Sequence, residues 1–262
     1  MSDQVIPRSI YKINPLMTVV CQFRFPPILT IDTEVPSKFQ EKIRTKFPQY
    51  SEVPGFAQQL VPMSFPNINN PPLFGQPSIK NHQFLSSDND LVVNLTRTFI
   101  TLQTSKYKSW EPFIENFKFI LSSLVETYRP AYFTRIGLRY INLLNRSKLG
   151  LANTRWKELI QPAYLGLLST SINDKIKSFD STYEIKLDDD ASFKRLKLAI
   201  GGPTINIIVE ECFMVDTDFY NTQRLESEEA LIKLEYLNKN ASIQFREIIQ
   251  DKLDKAMKQE IL

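Results

Sequence analysis

The chain has 262 residues, 42% of them hydrophobic and 23% charged, with a formal net charge of +3. This balance is typical of a folded globular protein and excludes attraction to polyanions through net charge alone. Apolar runs are short and the N-terminus lacks a basic region followed by an apolar stretch, so we expect no membrane segment or signal peptide, and a cytoplasmic location. Cys21 and Cys212 lie in strand-like sequence and are expected to be free, buried thiols.

The first half of the chain, residues 1–130, is predicted to form one β-α-β4-α unit. Its predicted strands are 17–29, 59–63, 81–86, 91–96 and 99–104, and its predicted helices are 36–47 and a segment that begins at Trp110 and ends before Pro130. Alternation in the first strand places Cys21 and Phe23 on one side and Gln22 and Arg24 on the other. Residues 62–77 hold five prolines and three asparagines. They are predicted to form a long proline-rich loop.

The second half, residues 131–262, is predicted to repeat this order. Its predicted strands are 133–144, 172–179, 182–187, 194–200 and 205–215, and its predicted helices are 155–168 and a long C-terminal helix at 227–258. The sequence around Arg139 repeats the one around Arg24. From Arg24 to Trp110 and from Arg139 to Leu225, each the start of a helical pattern, the spacing is 86 residues. Matched spacing predicts an internal duplication.

Two β-α-β4-α units predict an α+β fold with one curved antiparallel sheet and all helices on one face, shaped like a saddle or a helix grip. The apolar faces of strands and helices must be buried against each other, which favours a shared sheet over two separate cores. The order is similar to the saddle of the TATA-box-binding protein, which binds DNA on its concave sheet. This chain differs by its proline-rich loop and by lacking recognisable phenylalanine wedge pairs.

The strand motifs also carry a family resemblance. Tyr11, Pro15 and Leu16, followed by VCQFRFP at 20–26 and RIGLRYIN at 135–142, resemble a sporadically distributed bacterial protein family of similar length. The resemblance spans nearly the whole chain, but its motifs are strand residues and no activity is assigned to the family. Sporadic distribution fits carriage on mobile elements, and so fits a role in antiviral defence.

A search for catalytic chemistry finds no recognisable site. The single histidine, His82, has no Cys, Asp or Glu neighbour at ligand spacing and is interpreted as structural or surface-exposed. The acidic runs 188–190 and 216–218 lack the calcium-loop pattern and are interpreted as solvated hairpin turns. We therefore expect no enzymatic activity, no metal and no cofactor.

The polar side of the predicted sheet is the strongest functional signal. Alternation gathers basic residues there, among Asn, Gln and Thr side chains, and predicts that they outnumber acidic residues. The predicted nucleic-acid-binding residues are Arg24, Arg135, Arg139, Arg195 and Lys197. Guanidinium groups suit phosphate recognition, so this face could hold a DNA or RNA backbone. The alternative is that these cations pair with acidic side chains on a solvated sheet face.

Three functions follow from these patterns. The first is a non-enzymatic nucleic-acid-binding protein that uses the basic sheet face, in a bacterial defence system. The second is a protein-interaction or regulatory subunit of a defence or toxin-antitoxin complex, with a protein partner or a second copy of the chain. The third is a small-ligand module in which the long helix grips a cavity against the sheet. Large Phe, Leu and Ile side chains on the inner strand face predict a filled core and place this function last.

Overall fold

The computed structural model describes residues 9–55, 79–201 and 210–261. They form an α+β fold with a nine-stranded sheet in the order β3-β4-β5-β6-β2-β7-β10-β9-β8, in which every neighbouring pair is antiparallel. Its strands are β2 (Leu16–Arg24), β3 (Gln49–Gly55), β4 (Ile79–Leu85), β5 (Leu91–Thr96), β6 (Phe99–Thr104), β7 (Arg135–Leu144), β8 (Phe179–Lys186), β9 (Ser192–Gly201) and β10 (Cys212–Asn221). The large antiparallel sheet of the prediction is confirmed.

Six α-helices accompany the sheet within the described residues. They are α1 (Thr30–Thr33), α2 (Ser37–Ile43), α3 (Trp110–Tyr128), α4 (Pro162–Leu165), α5 (Ser227–Ile248) and α6 (Asp251–Met257). Short 3-10 turns lie at Trp156–Glu158, Gly166–Ser169 and Asn173–Lys175. The predicted helix beginning at Trp110 is confirmed, since its four-residue spacing of large apolar side chains buries one continuous face.

The two halves of the chain meet at the centre of the sheet, where β2 pairs with β7. On one side of this pair the strands run outward as β6, β5, β4 and β3, and on the other side as β10, β9 and β8. Within the nine-stranded sheet, the first strand of each half is therefore central, and the last strand of the same half lies beside it. The predicted strand at 59–63 and the proline-rich loop 62–77 lie outside the described residues. The other four predicted strands of the first half are present as β2, β4, β5 and β6, and β3 is a further strand of the sheet that was not predicted.

The second half differs from its predicted arrangement, in which four strands follow the first helix. Residues 172–179 do not form a strand: a 3-10 turn occupies Asn173–Lys175, and β8 begins only at Phe179. Asn173 and Asp174 favour turns, which outweighs the apolar residues on either side. Three strands of the nine-stranded sheet thus follow β7 in the described part of this half, although residues 205–209 of the predicted strand 205–215 lie outside it. The predicted helix 155–168 is replaced by α4 and two 3-10 turns, because Pro162 and Gly166 interrupt a longer helix.

The predicted long C-terminal helix is broken into α5 and α6. At the break, Ile249 bridges to Ile160, and the Gln250 side-chain amide donates to the carbonyl oxygens of Lys157 at 2.8 Å and Ile160 at 2.7 Å. The apolar stripe continues across the break, because Ile249 and Leu253 are both buried. Packing against the segment around Ile160 therefore bends the chain without exposing its core face.

Two apolar clusters form the core, and both lie on the same face of the sheet. The first contains Cys21 and Phe23 of β2 with buried residues of α1, α2, α3 and the first part of α5. The second contains Leu196 and Leu198 of β9 with buried residues of α4, α6 and the end of α5. Strand register places these side chains on one side, so the helices cover one face and polar residues occupy the other.

The remaining regular element is a short ribbon near the cavity described below. Strand β1 (Ser9–Tyr11) pairs antiparallel with β11 (Gln259–Ile261). The Tyr11 hydroxyl donates to Asp254 of α6 at 2.9 Å, and the Ile13 amide donates to the carbonyl oxygen of Met257 at 3.1 Å. These bonds attach residues 9–13 to α6.

Candidate functional site

The structure places the five predicted nucleic-acid-binding residues on the sheet face opposite the helices, on the three strands β2, β7 and β9. Four of the five form ion pairs within that face. The pairs are Arg135 with Asp218, Arg139 with Asp216, Arg195 with Glu184 and Lys197 with Asp180. Basic and acidic side chains therefore alternate on this face, and the cations are largely balanced by acidic residues of β8 and β10.

The cations of this face are largely balanced because residues 216–218 are not the hairpin turn that the sequence predicted. They lie in the middle of β10, where Asp216 pairs in register with Ile141, and Asp218 with Arg139. Alternation points both aspartates to the polar face and Thr217 to the helix face. The composition of residues 216–218 is typical of a turn, yet both aspartates are strand residues that lie beside basic residues of β7 and β9. The other acidic run, 188–190, does lie in the connection between β8 and β9.

The bond between Arg139 and Asp216 is bidentate. Arg139 donates from Nε to Oδ1 at 2.7 Å and from Nη2 to Oδ2 at 2.5 Å, and the Asp216 side chain is only 9% exposed. Burial acts to lower the pKa of Arg139, but the bonds to Asp216 outweigh it and hold that pKa above its ordinary value. This pair joins β7 to β10 as a structural element of the sheet.

Arg24 and Arg135 stand directly opposite each other across the central strand pair. Both donate to Oε1 of Gln22, at 2.9 Å from Arg24 and 3.3 Å from Arg135. The guanidinium of Arg135 lies across Gly137, where a Cβ would sit 2.3 Å from Nη1, and 4.7 Å from the ring centre of Tyr220. Burial, followed by the charge of Arg135, lowers the pKa of Arg24. The absence of a side chain at Gly137 thus makes room for the guanidinium group of Arg135.

A large cavity opens on the other face of the sheet, beneath the longest helix. We call it the α5 cavity; its volume is about 1110 Å³, and it lies between residues 10–16, the start of α3, helix α5 and the strands β7 and β10. It falls between the two core clusters: Phe219 and Ala241 of the first cluster line it, and so does Phe245, which packs against the second. The core is therefore not filled at this junction.

The floor of the α5 cavity carries two buried polar side chains without partners. Asn142 of β7 and Thr217 of β10 line the cavity, and each is 5% exposed. Among the residues that the structure describes, neither side chain has a hydrogen-bond partner. Nearby Tyr140 differs, because its hydroxyl donates to Oδ1 of Asn238 on α5 at 2.8 Å. The polar groups of Asn142 and Thr217 therefore face the space of the cavity, where they can bond to a molecule inside it.

Aromatic side chains form the walls of the α5 cavity. The rings of Tyr107 and Tyr140 meet edge to face with centroids 6.0 Å apart, and Trp110 donates from its indole nitrogen to Glu235 at 2.8 Å. Burial raises the pKa of Tyr140 well above its usual range, so its hydroxyl keeps its proton across the physiological range. Tyr236 also lines the cavity, and its hydroxyl is buried with no hydrogen-bond partner in the described chain.

Most charged residues of the cavity are exposed, but Glu235 is half-buried and accepts the hydrogen bond from Trp110 in the wall. Lys108, Glu111 and Lys239 are exposed lining residues, while Arg246 is half-buried and donates to Ser242 of the same helix. A neutral polar floor, aromatic walls and a charged opening are the usual parts of a site for a small organic molecule.

Sequence reasoning missed this cavity, although one signal was present. Along β7 the helix-facing positions are Ile136, Leu138, Tyr140, Asn142 and Leu144. An amide at an inward position of an otherwise apolar series is the kind of residue that marks a polar site within a core. The empty space next to Asn142 depends on how α5 crosses the sheet, and the alternation of residues along a strand does not predict that crossing.

The other predicted site signals have structural roles. His82 is fully buried; one ring nitrogen lies 2.8 Å from the carbonyl oxygen of Ile31 and the other 3.1 Å from the Tyr50 hydroxyl. Cys21 and Cys212 are free and buried, as predicted. Within residues 9–55, 79–201 and 210–261, no group of three His, Cys, Asp or Glu side chains could hold a metal ion. No helix in that part of the chain is long and apolar enough to cross a membrane.

The fold and the site define an α+β protein with one helix-covered antiparallel sheet and a polar-floored cavity beneath its longest helix. The chain matches no protein-family model, and no curated protein is significantly similar to it. The resemblance to a sporadically distributed bacterial family therefore stays a prediction from the strand motifs.

Proposed function

We propose that this protein binds a small organic molecule in the α5 cavity. The observation that carries the proposal is the pair of buried, unpartnered polar side chains, Asn142 and Thr217, on the floor of a cavity of about 1110 Å³. Both residues are largely covered by protein, yet neither side chain bonds to the described chain, so their donors and acceptors are left for a molecule that fills the cavity. Ligand sites typically have volumes of roughly 300–1,000 Å³.

This proposal promotes the third of the functions predicted from the sequence. The argument against it was a filled core, and the cavity at the junction of the two core clusters supports the proposal in spite of that argument. Four of the five cations that favoured nucleic acid are bonded to carboxylates, so much of their charge is already balanced.

The proposal is tested by filling the cavity from the helix side. Ala241 of α5 is 9% exposed and lines the cavity, whereas Ile232 of the same helix is 73% exposed. We expect the fluorescent probe 8-anilinonaphthalene-1-sulfonate to bind the native protein at one saturable site, Ala241→Phe to abolish that binding, and the control Ile232→Phe to preserve it. Circular dichroism checks that each variant folds, and Ser242→Phe provides a second filling position. Equal binding by the wild type and both filling variants would refute the proposal.

Nucleic-acid binding through the polar sheet face is the second candidate. It is favoured by Arg24, which is exposed and stands beside Arg135 with a shared bond to the neutral amide of Gln22. Two adjacent guanidinium groups suit one phosphate. Titration with single- and double-stranded DNA and RNA at low salt tests it: Arg24→Gln should reduce the slope of log affinity against log salt by about one. Absence of binding at low salt would refute this candidate. A protein partner stays a prediction.

We also propose that the two halves arose by duplication and form a saddle-shaped sheet. The strand order supports this proposal, because each half begins at the sheet centre and ends beside its own first strand. In an experimental structure, superposing residues 17–128 on 132–259 should align β2 with β7 and α3 with α5. Final helices that do not coincide would contradict common ancestry of the halves.

A further inference from the structure

We infer that the α5 cavity takes a planar heteroaromatic ring with a hydrogen-bond donor next to an acceptor on its edge, as a purine base has. The inference rests on the proposed small-molecule function and names the class of ligand. Its three supports are the chemistry of the floor, the distribution of charge and the composition of the walls.

The floor offers a matched set of donors and acceptors. A carboxamide presents a donor and an acceptor side by side, so Asn142 pairs best with a ligand edge that carries both. Asparagine recognises the edge of adenine in this bidentate way in other contexts. Thr217 lies directly opposite Tyr140 in the strand register, two positions from Asn142 along β7. As a diagonal neighbour on the same face, about 7–8 Å away, its hydroxyl can contact the same ring system.

The part of the ligand at the floor is neutral. Asn142, Thr217 and Tyr140 are uncharged, and burial keeps the Tyr140 hydroxyl protonated by raising its pKa. A carboxylate placed there would lose its hydration and would lie near the charge of Glu235, which contributes to raising the pKa of Tyr140. Charged substituents of the ligand belong at the opening, where Lys108 and Lys239 are exposed.

The walls favour a flat ring over an aliphatic chain. Tyr107, Trp110, Tyr140 and Tyr236 all line the cavity. Aromatic side chains bind planar bases by stacking or edge-to-face contact, and they do so for every base because each has a π face. The walls supply affinity for a ring, while Asn142 selects among rings by the groups on their edge.

Calorimetric titration with adenosine and guanosine tests this inference, with N6,N6-dimethyladenosine as the matched ligand that lacks the donor on its edge. We expect at least one nucleoside to bind the native protein, dimethylation to weaken adenosine binding about tenfold if adenosine is a ligand, and Asn142→Leu to weaken nucleoside binding about tenfold or more. The melting temperature of Asn142→Leu is measured beside its affinity: weaker binding at an unchanged melting temperature marks a ligand-binding residue, whereas a loss of both marks a structural one.

The anilinonaphthalene probe separates failure of this inference from failure of the proposed function. If the probe binds in the cavity but neither nucleoside binds or displaces it, the purine inference is overturned and the small-molecule function stands. If Asn142→Leu binds the nucleosides as tightly as the wild type, the assigned role of Asn142 is wrong. If Ala241→Phe leaves both probe and nucleoside binding intact, the cavity is not the site and both proposals fail.

Discussion

Breaking the Arg139–Asp216 pair should destabilise the protein strongly, because both groups are largely buried. The Arg139 side chain is 24% exposed and the Asp216 side chain 9%, and two short bonds join them. Removing one partner of a buried pair costs roughly 3–5 kcal/mol, since the other charge is left without compensation. Arg139 keeps some contact with solvent, so we expect Arg139→Gln and Asp216→Asn each to cost about 3 kcal/mol, near the lower limit.

Urea unfolding followed by circular dichroism measures this cost as a fall in the transition midpoint at an unchanged slope. The matched control is Arg195→Gln, because the Arg195–Glu184 pair lies on the same face with side chains 55% and 53% exposed. An exposed pair contributes about 0–1 kcal/mol. If Arg139→Gln costs no more than this control, the pair is not structural, and the role of Arg139 in binding a polyanion that the sequence indicated gains support.

Three further predictions concern buried or bonded side chains. His82→Ala should lower stability by about 1–3 kcal/mol in the same urea assay, because it leaves a buried carbonyl oxygen without its hydrogen-bond partner; an unchanged midpoint would show that this bond contributes nothing. The Tyr220 hydroxyl is the largest cause that lowers the pKa of Glu184, so Tyr220→Phe should raise that pKa in a carbon-13 NMR titration; the stabilisation from this bond is present above the ordinary carboxyl pKa and is lost as pH falls through the lowered one, and an identical titration curve in the variant would contradict it. Burial raises the pKa of the Cys21 thiol, so it should react with Ellman's reagent only after unfolding, and rapid reaction in the native state would place it at the surface.

Local patterns predicted the regular elements whose burial is uniform along their length. Helix α3 and strands β5 and β6 follow from periodicity because each packs one face against a continuous apolar surface. The break between α5 and α6 could not be predicted in this way. It depends on Gln250 bonding to carbonyl groups about 90 residues earlier in the chain, and no local pattern encodes such a contact.

For the candidate sites too, local features could be predicted from the sequence and contacts between distant residues could not. Alternation placed the five cations on one face, because strand periodicity is a local property. Their neutralisation was not predicted, since Arg139 and Asp216 are 77 residues apart in sequence and become neighbours only through the pairing of β7 with β10. The α5 cavity required still more: the position of one helix relative to the strands, and the gap that this position leaves between two clusters of side chains.

The ribbon of β1 and β11 forms part of the wall of the α5 cavity. Tyr11 belongs to this ribbon, lines the α5 cavity and bonds to Asp254. The ribbon has only three residue pairs, and so short an element opens at a lower free energy than the nine-stranded sheet. Part of the wall that would hold a ligand therefore depends on the least cooperative sheet of the fold. Tyr11→Phe removes the bond to Asp254 and leaves the contacts at Asn142 as they are, so a change in ligand binding by this variant would measure what the wall at Tyr11 contributes.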